Sequence, residues 1–167
     1  FGSGPGCFWI LLLGFEKGKT RWWHHKGSKP CSVKTIEFLK QNNLLPLKYN
    51  NKNIDAIARI LGSTFGDGGI FGNLNAIYLS SSELSTLKDY RDDLLKIFGS
   101  KINKNFVLRI SGVKKTGKCL SNTNRAVVRF FVALGAPIGR KDKELIIPKW
   151  IKVNELTKQE FFGSFLG

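Results

Sequence analysis

The sequence predicts an α+β fold in which helices back one face of a four-stranded antiparallel sheet. The predicted order is α-β-β-α-β-β-α, followed by the start of a further helix. Apolar residues recur at helical spacing in separate segments, and strand-like alternation fills two hairpin segments between them. A hydrophobic content of 42% supplies enough apolar surface for a core, so a disordered chain is excluded.

An apolar stripe at helical spacing predicts the first helix of this order, with Asn53 as its cap and GDGG as its stop. The stripe consists of Ile54, Ile57, Ala58, Leu61 and Phe65. A shorter helix is predicted earlier, where Ser32 precedes VKTIEFLKQNN. The stretch LPLKYNNKN between the two helices contains one proline and three asparagines, so we place a domain boundary there. Residues 1–50 then form an upstream segment without an assigned role.

The remaining elements follow from alternation and from turn residues. GIFGNLNAIYLSSS predicts the first hairpin, and Ser82 should cap a second helix that ends on Gly99. NFVLRISG and KKTGKCLS predict the second hairpin. NTNRAVVRFFVALG predicts a third helix, closed by Gly135 and Pro137. A final helix is expected to begin near Thr157.

Positive charge is concentrated in one part of the chain. The net charge is +15, and residues 101–152 carry 13 basic and 2 acidic side chains, whereas residues 53–100 carry 4 basic and 6 acidic ones. Such clustering predicts a surface that binds a polyanion, and nucleic acid rather than a membrane, because no long amphipathic helix accompanies it. The apolar run CFWILLLGF is nine residues long, too short to span a bilayer. A basic composition with no specific partner is the alternative.

The cysteines predict neither a disulfide framework nor a zinc finger. The three cysteines are an odd number without a C-x-x-C pair, which fits a reducing compartment, and we expect a cytoplasmic protein. Cys7, His24, His25 and Cys31 have a spacing that matches no usual zinc finger. The chain contains no methionine and begins with Phe, so we expect a fragment truncated at both ends.

The pattern Gly-Ser-x-x-Gly occurs twice, about a hundred residues apart, in ILGSTFGDG and in FFGSFLG. Gly62 and Gly66 lie four residues apart on one helix face, and so do Gly163 and Gly167. Glycine at this spacing lets two helix backbones approach closely, so these four residues are predicted to form a helix interface. Close packing without further function is the alternative. Asp67 follows the first of these helices immediately.

These residues resemble a known family. Residues 60–68, ILGSTFGDG, resemble the nonapeptide that names the LAGLIDADG (DOD-type) homing endonucleases, and FFGSFLG resembles its second copy. GAPIGRKDKELIIPKWI is similar to the segment that precedes the second copy in that family. The resemblance covers about two thirds of the chain. It implies a half-saddle with one endonuclease repeat over residues 53–156 and the truncated start of a second repeat over residues 157–167.

The resemblance also implies a setting for the chain. The stretch LKQNNLLPLKYNNKNIDAIARILGSTFGDG is similar to intein-resident members of the family, those that interrupt RNA ligases of the tRNA-splicing type. Residues 1–50 would then be the end of a splicing domain or a linker. The full-length protein is expected to be a monomer with two pseudo-symmetric repeats, bound to double-stranded DNA and not to a membrane.

The activity that the resemblance implies is site-specific, metal-dependent hydrolysis of double-stranded DNA, as in intron homing and protein splicing elements. Asp67 and the carbonyl of Gly66 would bind Mg²⁺ or Mn²⁺, and Lys143 would assist cleavage as a second catalytic residue. Phe65 stands where the family often has Asp. The acid of the second copy would lie beyond Gly167, so this chain alone is expected to bind DNA weakly and to cut nothing.

The hairpins are expected to contact DNA, because a two-stranded ribbon fits the major groove and alternate side chains reach base edges. A basic loop before the final helix would contact phosphates. A solvated lysine-rich face is the alternative for all the basic residues. The predicted DNA-binding residues are Asn73, Asn75, Tyr78, Ser80, Arg109, Ser111, Lys114, Lys115, Lys118, Arg140 and Lys141.

Three rival interpretations stay open. The chain is a non-catalytic DNA- or RNA-binding module of the same fold, acting in splicing or transcription, or it is an unrelated basic nucleic-acid or ribosomal protein. The third is a phosphate loop, because GVKKTGKC matches G-x-x-x-x-G-K. Cys119 replaces the Ser or Thr that would bind Mg²⁺, and LSNTN separates the motif from the next helix, so a basic hairpin turn is favoured.

Overall fold

The computed structural model describes residues 9–11, 32–142 and 144–167. Helices and strands make up most of this range, and a 3₁₀ helix (Ser100–Asn105) precedes the second hairpin. The helices are α1 (Val33–Gln41), α2 (Ile54–Phe65), α3 (Leu84–Phe98), α4 (Arg125–Ala133), α5 (Lys149–Val153) and α6 (Glu155–Leu166). The strands are β1 (Trp9–Leu11), β2 (Leu47–Lys48), β3 (Gly68–Ile70), β4 (Ile77–Ser81), β5 (Phe106–Ser111) and β6 (Gly117–Asn122).

Four of the strands form one antiparallel sheet in the order β3-β4-β6-β5. Side chains alternate between its two faces. Ile77, Leu79 and Leu120 are buried in the core on the side where the helices pack. We call the opposite side the open face. Its side chains come from Tyr78, Ser80, Val107, Arg109, Cys119 and Ser121.

The segment before the predicted domain boundary packs into the same core as the rest of the described chain. Leu39, Leu44 and Leu47 are fully buried within it. The asparagines of this stretch donate hydrogen bonds to carbonyl groups elsewhere in the chain. Asn51 Nδ2 donates to the carbonyl of residue 43 at 2.8 Å, and Asn53 Nδ2 donates to the carbonyl of residue 96 at 3.1 Å. Residues 32–50 therefore share the hydrophobic core of α2 to α6.

Two helix starts differ from their predicted caps. Helix α3 follows Glu83 and not Ser82, because the Ser81 hydroxyl accepts the Glu83 N–H at 3.1 Å and carries the turn one residue further. Asn53 precedes α2 but makes no side-chain cap bond, since its amide is used elsewhere. At α6, Asn154 Oδ1 accepts the N–H of the second helical residue at 2.9 Å. Among the described residues, no helix is long and apolar enough to cross a membrane.

Candidate nucleic-acid interface and cation site

Helices α2 and α6 form the most extensive helix–helix contact of the described elements. A Cβ atom at Gly62 would overlap the carbonyl oxygen of Phe161 and would lie 3.0 Å from the Phe161 carbonyl carbon. A Cβ atom at Gly66 would lie 3.0 Å from the Phe165 carbonyl oxygen. The hydroxyls of Ser63 and Ser164 are 2.7 Å apart across the same contact. Glycine in α2 therefore permits the close approach of the two backbones.

The glycines of α6 do not take part in this contact. A Cβ atom at Gly163 or at Gly167 would meet nothing within 4 Å, and Gly163 is exposed. Phe161 and Phe165 form the face of α6 that meets α2, and Gly163 is two residues, or about 200°, away from Phe161 around the helix. The prediction of a glycine interface with four members thus differs from the structure. Only the two α2 glycines lie against α6.

Asp67 is exposed and lies directly after Gly66, the C-cap of α2. Beside it, the ammonium group of Lys141 donates to the carbonyl oxygens of Gly66 and Gly68. Burial lowers the pKa of Lys141, and the negative charge of Asp67 offsets part of that effect. The structure therefore holds a positive charge at the place where the sequence predicted a metal ion.

The ligands around this position suit a divalent cation in kind. Carbonyl and carboxylate oxygens are the ligands that Mg²⁺ prefers, and the ammonium group of Lys141 already serves as a cation there. Within the described ranges, no group of three or more His, Cys, Asp or Glu side chains could hold a metal ion. Among Gly66, Asp67, Gly68 and Lys141, the carboxylate is that of Asp67. The predicted catalytic residue Lys143 lies outside the described residues.

The open face brings several of the predicted DNA contacts together. Ser80, Cys119 and Arg109 are register neighbours across β4, β6 and β5. Tyr78 lies two residues before Ser80 on β4, and its register partner on β3 is Gly69. The open-face positions of these four strands include no carboxylate. Burial raises the pKa of Tyr78, with a smaller contribution from the charge of Cys119. The face is therefore polar, with Arg109 as its charged member.

Four predicted contacts lie in the turns of the two hairpins rather than in strands. Asn73 and Asn75 belong to the β3–β4 turn, where Asn73 Oδ1 accepts the Asn75 N–H at 3.1 Å. Lys114 and Lys115 lie exposed in the β5–β6 turn, and Lys115 has a positive φ of 53°. Arg140 is also exposed. The side chain of Ser111, the last residue of β5, lies outside the part that the structure describes.

Lys118 does not belong to the open face. Its register partners Ser81 and Ile110 belong to the helix side of the sheet, and its ammonium group donates to the carbonyl of Ser82 at 2.9 Å. The prediction that Lys118 faces DNA is wrong, because strand alternation alone does not tell which face of the sheet a residue occupies without the register. The structure thus removes Lys118 from the set that can contact one ligand across the open face.

Phe71 is a surface aromatic that the sequence analysis missed. Its ring stacks on that of Tyr78 with centroids 4.6 Å apart and an angle of 21° between the planes. Phe71 is 41% exposed, so the pair presents an aromatic surface at the β3 side of the open face. A stacked aromatic pair of this kind can receive an unpaired base. The signal in the sequence was the spacing of two aromatics across a predicted turn.

Comparisons with known proteins place similar sequence inside much longer chains. No family model matches. The chain is 36% identical over 131 residues to a tRNA-splicing ligase RtcB of Methanocaldococcus jannaschii, covering 69% of this chain and 13% of the ligase. It is 34% identical over 146 residues to the Pyrococcus furiosus tRNA-splicing ligase RtcB, covering 79% of this chain and 15% of the ligase. The DNA-directed RNA polymerase subunit Rpo1N of M. jannaschii is 29% identical over 147 residues, covering 80% of this chain and 11% of that subunit.

These names contradict the identification as an intein-encoded homing endonuclease. The relatives are named as tRNA-splicing ligases and as a polymerase subunit, and no family model for the nonapeptide family matches. The prediction of a DNA-cleaving enzyme in intron homing or protein splicing is therefore wrong on these comparisons. The association with RNA ligases of the tRNA-splicing type agrees with two of the names.

The matches cover only a small part of each relative, so the relatives' names describe much longer proteins than this chain. The chain spans about one-seventh of the ligases that it matches, and a similar share of the polymerase subunit. Relatives with several different names share this one stretch of sequence. The names of the longer relatives therefore do not assign an activity to the matched segment.

Proposed function

We propose that this chain is a nucleic-acid-binding segment of a longer protein and that it binds double-stranded DNA across the open face of its sheet. One observation carries the proposal: the open face and its hairpin tip carry basic side chains without a carboxylate among the strand positions. Arg109, Lys114 and Lys115 lie on the open face or at its hairpin tip. A duplex on this face would meet positive charge without an acidic side chain from the strands.

A fluorescence-anisotropy titration with labelled duplex DNA tests this surface. Replacing Arg109 by alanine should weaken binding about fivefold, because one charged contact to the duplex is lost. Replacing Lys114 and Lys115 together should also lower the slope of log affinity against log salt by about 0.9 for each phosphate contact removed.

Lys118→Ala is the matched control for these variants. It removes the same charge from the neighbouring strand, but on the helix side of the sheet. We expect DNA affinity within about twofold of the unmodified chain, since each phosphate contact acts locally. Equal losses in the Lys118 and Arg109 variants would show that net charge, and not the open face, governs binding. Binding that ignores salt would contradict the whole proposal.

Duplex RNA is the second candidate ligand, and the names of the ligase relatives favour it. A-form RNA has a deep, narrow major groove that side chains do not read, so recognition would use backbone and 2′-hydroxyl contacts. The same titration with an RNA duplex of identical sequence separates the two. DNA is expected to bind more tightly and to show dependence on base sequence. Tighter binding of RNA, without sequence dependence, would replace DNA as the ligand.

We also propose that a divalent cation, Mg²⁺ or Mn²⁺, binds at Asp67 and the Gly66 carbonyl in competition with Lys141. When bound there, the cation would link the α2 turn to a phosphate of the nucleic acid. Two observations support this proposal. Carboxylate and carbonyl oxygens are the ligands that Mg²⁺ prefers, and the carbonyl oxygens of Gly66 and Gly68 already accept hydrogen bonds from the ammonium group of Lys141. Because Lys141 and the metal ion use the same carbonyl oxygen, each excludes the other.

Electron paramagnetic resonance of Mn²⁺ measures this competition without reference to any activity. Asp67→Asn should weaken Mn²⁺ binding about tenfold, because the charged ligand is lost. Lys141→Met should tighten Mn²⁺ binding about tenfold, because a competing positive charge is removed. Asp89→Asn, the same charge change on α3, is the control and should have no effect. Unchanged affinity in the Lys141 variant would exclude competition, and unchanged affinity in the Asp67 variant would exclude this site.

A further inference from the structure

The helix side of β5 carries a row of apolar side chains without a helix above it. Phe106, Leu108 and Ile110 alternate along the strand on this side. Leu108 is 54% exposed and Ile110 is 67% exposed, whereas Leu120, beside Leu108 on β6, is 7% exposed. The helix layer thus covers β6 in this row and leaves β5 uncovered. Apolar side chains in this arrangement are typical of a strand covered on that side, but here they are exposed.

A groove of about 560 Å³ lies between this row and the first half of α3. Leu84, at the start of α3, is 58% exposed and forms one lip, and Leu108 forms the other. The apolar part of the groove lining consists of Leu84, Leu87, Phe106, Leu108 and Leu120.

Positive charge surrounds the groove. Lys88 and Arg91 belong to its lining and are exposed. The Arg91 guanidinium lies 5.5 Å from the centroid of the Phe106 ring and donates to Asn103 at 2.7 Å, so it is held at the rim. Lys118 lies beside Ile110 in the strand register. A ligand for this groove would therefore combine apolar groups with negative charge.

The outer edge of β5 offers backbone hydrogen bonds as well. β5 is the last strand in the sheet order, and within the described ranges no strand pairs with its outer side. Natural sheets protect an apolar edge of this kind, because it pairs readily with another chain. An exposed apolar edge next to an apolar groove indicates a binding surface for an extended polypeptide.

Charge decides between the two possible occupants of the edge. Pairing of β5 with the β5 strand of a second copy would bring Arg109 and the basic rim of one copy against those of the other. Each copy carries a net charge of +15, so this pairing is repulsive. We propose that the β5 edge and its groove bind an acidic segment of a partner protein in extended conformation. Its alternate apolar side chains fill the groove, and the carboxylates between them lie on the open-face side of the added strand, where Arg109 of β5 is the basic neighbour. Lys88 and Arg91 at the groove rim favour a segment with a net negative charge.

A synthetic peptide of about seven residues that alternates Glu and Val serves as the probe. Fluorescence anisotropy should detect its binding to the unmodified chain, and Leu108→Lys should weaken that binding at least about tenfold. Val107→Lys is the matched control, because it adds the same charge to the same strand on the open face. It should preserve peptide binding. Circular dichroism of both variants verifies that they fold.

Further arms separate this proposal from its alternatives. A peptide of the same composition with its Glu and Val residues in two blocks should bind at least about tenfold more weakly. Methylation of the peptide nitrogens that face β5 should abolish binding, and this arm needs no protein variant. Equal binding of the alternating and block peptides would overturn the proposal, as would displacement of the peptide by duplex DNA. Sedimentation that shows a dimer lost in the Leu108 variant would assign the edge to a second copy instead.

Discussion

Replacing Gly62 by alanine is expected to lower the free energy of unfolding by about 3 kcal/mol. Alanine is the better helix former by about 1 kcal/mol, so helix propensity alone predicts the opposite sign. The contact between α2 and α6 overrides it, because the added methyl group would overlap the Phe161 carbonyl oxygen. Backbone atoms of a helix cannot move aside as a side chain can, so α6 must shift as a whole. Urea unfolding followed by circular dichroism measures the change.

Gly163→Ala is the matched control for this variant. The same substitution in α6 meets nothing within 4 Å, and it removes a helical glycine. We therefore expect the free energy of unfolding to stay unchanged or to rise by up to about 1 kcal/mol. If the Gly62 and Gly163 variants changed stability equally, the glycines would act through helix propensity and not through the contact. An α2 that tolerates alanine at Gly62 without loss would contradict the close approach of the two helices.

The contrast between the two glycines shows how far the sequence could lead. A repeated Gly-Ser-x-x-Gly pattern predicts that two helices meet, and the structure brings them together. The repeat does not reveal which face of each helix meets the other. In α6 that face belongs to Phe161 and Phe165. The Phe161 ring packs against the rings of Phe65 and Phe165. Only the packing of the whole helix pair selects a face, so local spacing could not assign Gly163 correctly.

The strands show the same limit. Alternation and turn residues located the second hairpin, because both are local properties of the chain. The faces of that hairpin depend on register, and a shift by one residue exchanges them. The sequence therefore predicts that Lys118 and Arg109 both contact DNA, whereas their side chains lie on opposite sides of the sheet. A run of basic residues thus predicts that the protein is basic, but the register is needed to predict which face of the sheet carries the charge.

The cation at the end of α2 could not be predicted from spacing either. Gly66 and Lys141 are separated by 75 residues, and the contact arises only when the loop after α4 returns to the start of β3. A bridge between Ile70 and Ile138 holds that loop in place, and the N–H of Gly139 donates to the carbonyl of Ile70 at 2.8 Å. The sequence predicted the acidic group at this site, and the tertiary fold supplied the basic one.

Replacing Arg59 by methionine is expected to lower the free energy of unfolding by about 2 kcal/mol, because Arg59 joins three helices. Its Nε and Nη2 atoms donate to the two carboxylate oxygens of Asp93 at 2.9 Å each, and Nη1 donates to Glu160 at 2.7 Å. The hydrogen bonds to Asp93, against the effect of burial, raise the pKa of Arg59. The side chain is 32% exposed, so the loss in the free energy of unfolding should be smaller than that for a fully buried ion pair.

Arg59→Lys keeps the charge but not the fork that binds Asp93 through two atoms, so it should recover about half of the loss. Acid unfolding gives a second measure, through Asp55, whose carboxylate lies 3.5 Å from Arg59 Nη2. Burial opposes ionisation of Asp55, but the Ala56 N–H, Lys96 and Arg59 together hold its pKa below the ordinary 3.8. The stabilisation from this carboxylate is therefore complete above pH 3.8 and is lost as the pH falls through the lowered pKa.

In the Arg59→Met variant, part of this acid-dependent stabilisation should disappear, because Lys96 and the Ala56 N–H alone then favour the ionised form of Asp55. The stability of the variant should fall less steeply than that of the unmodified chain below pH 3.8. Unfolding by urea at a series of pH values between neutral and acidic measures both the loss and its pH dependence. Parallel stability curves for the two proteins would show that Arg59 acts on the packing of α2, α3 and α6 through its aliphatic stem and not through its charge.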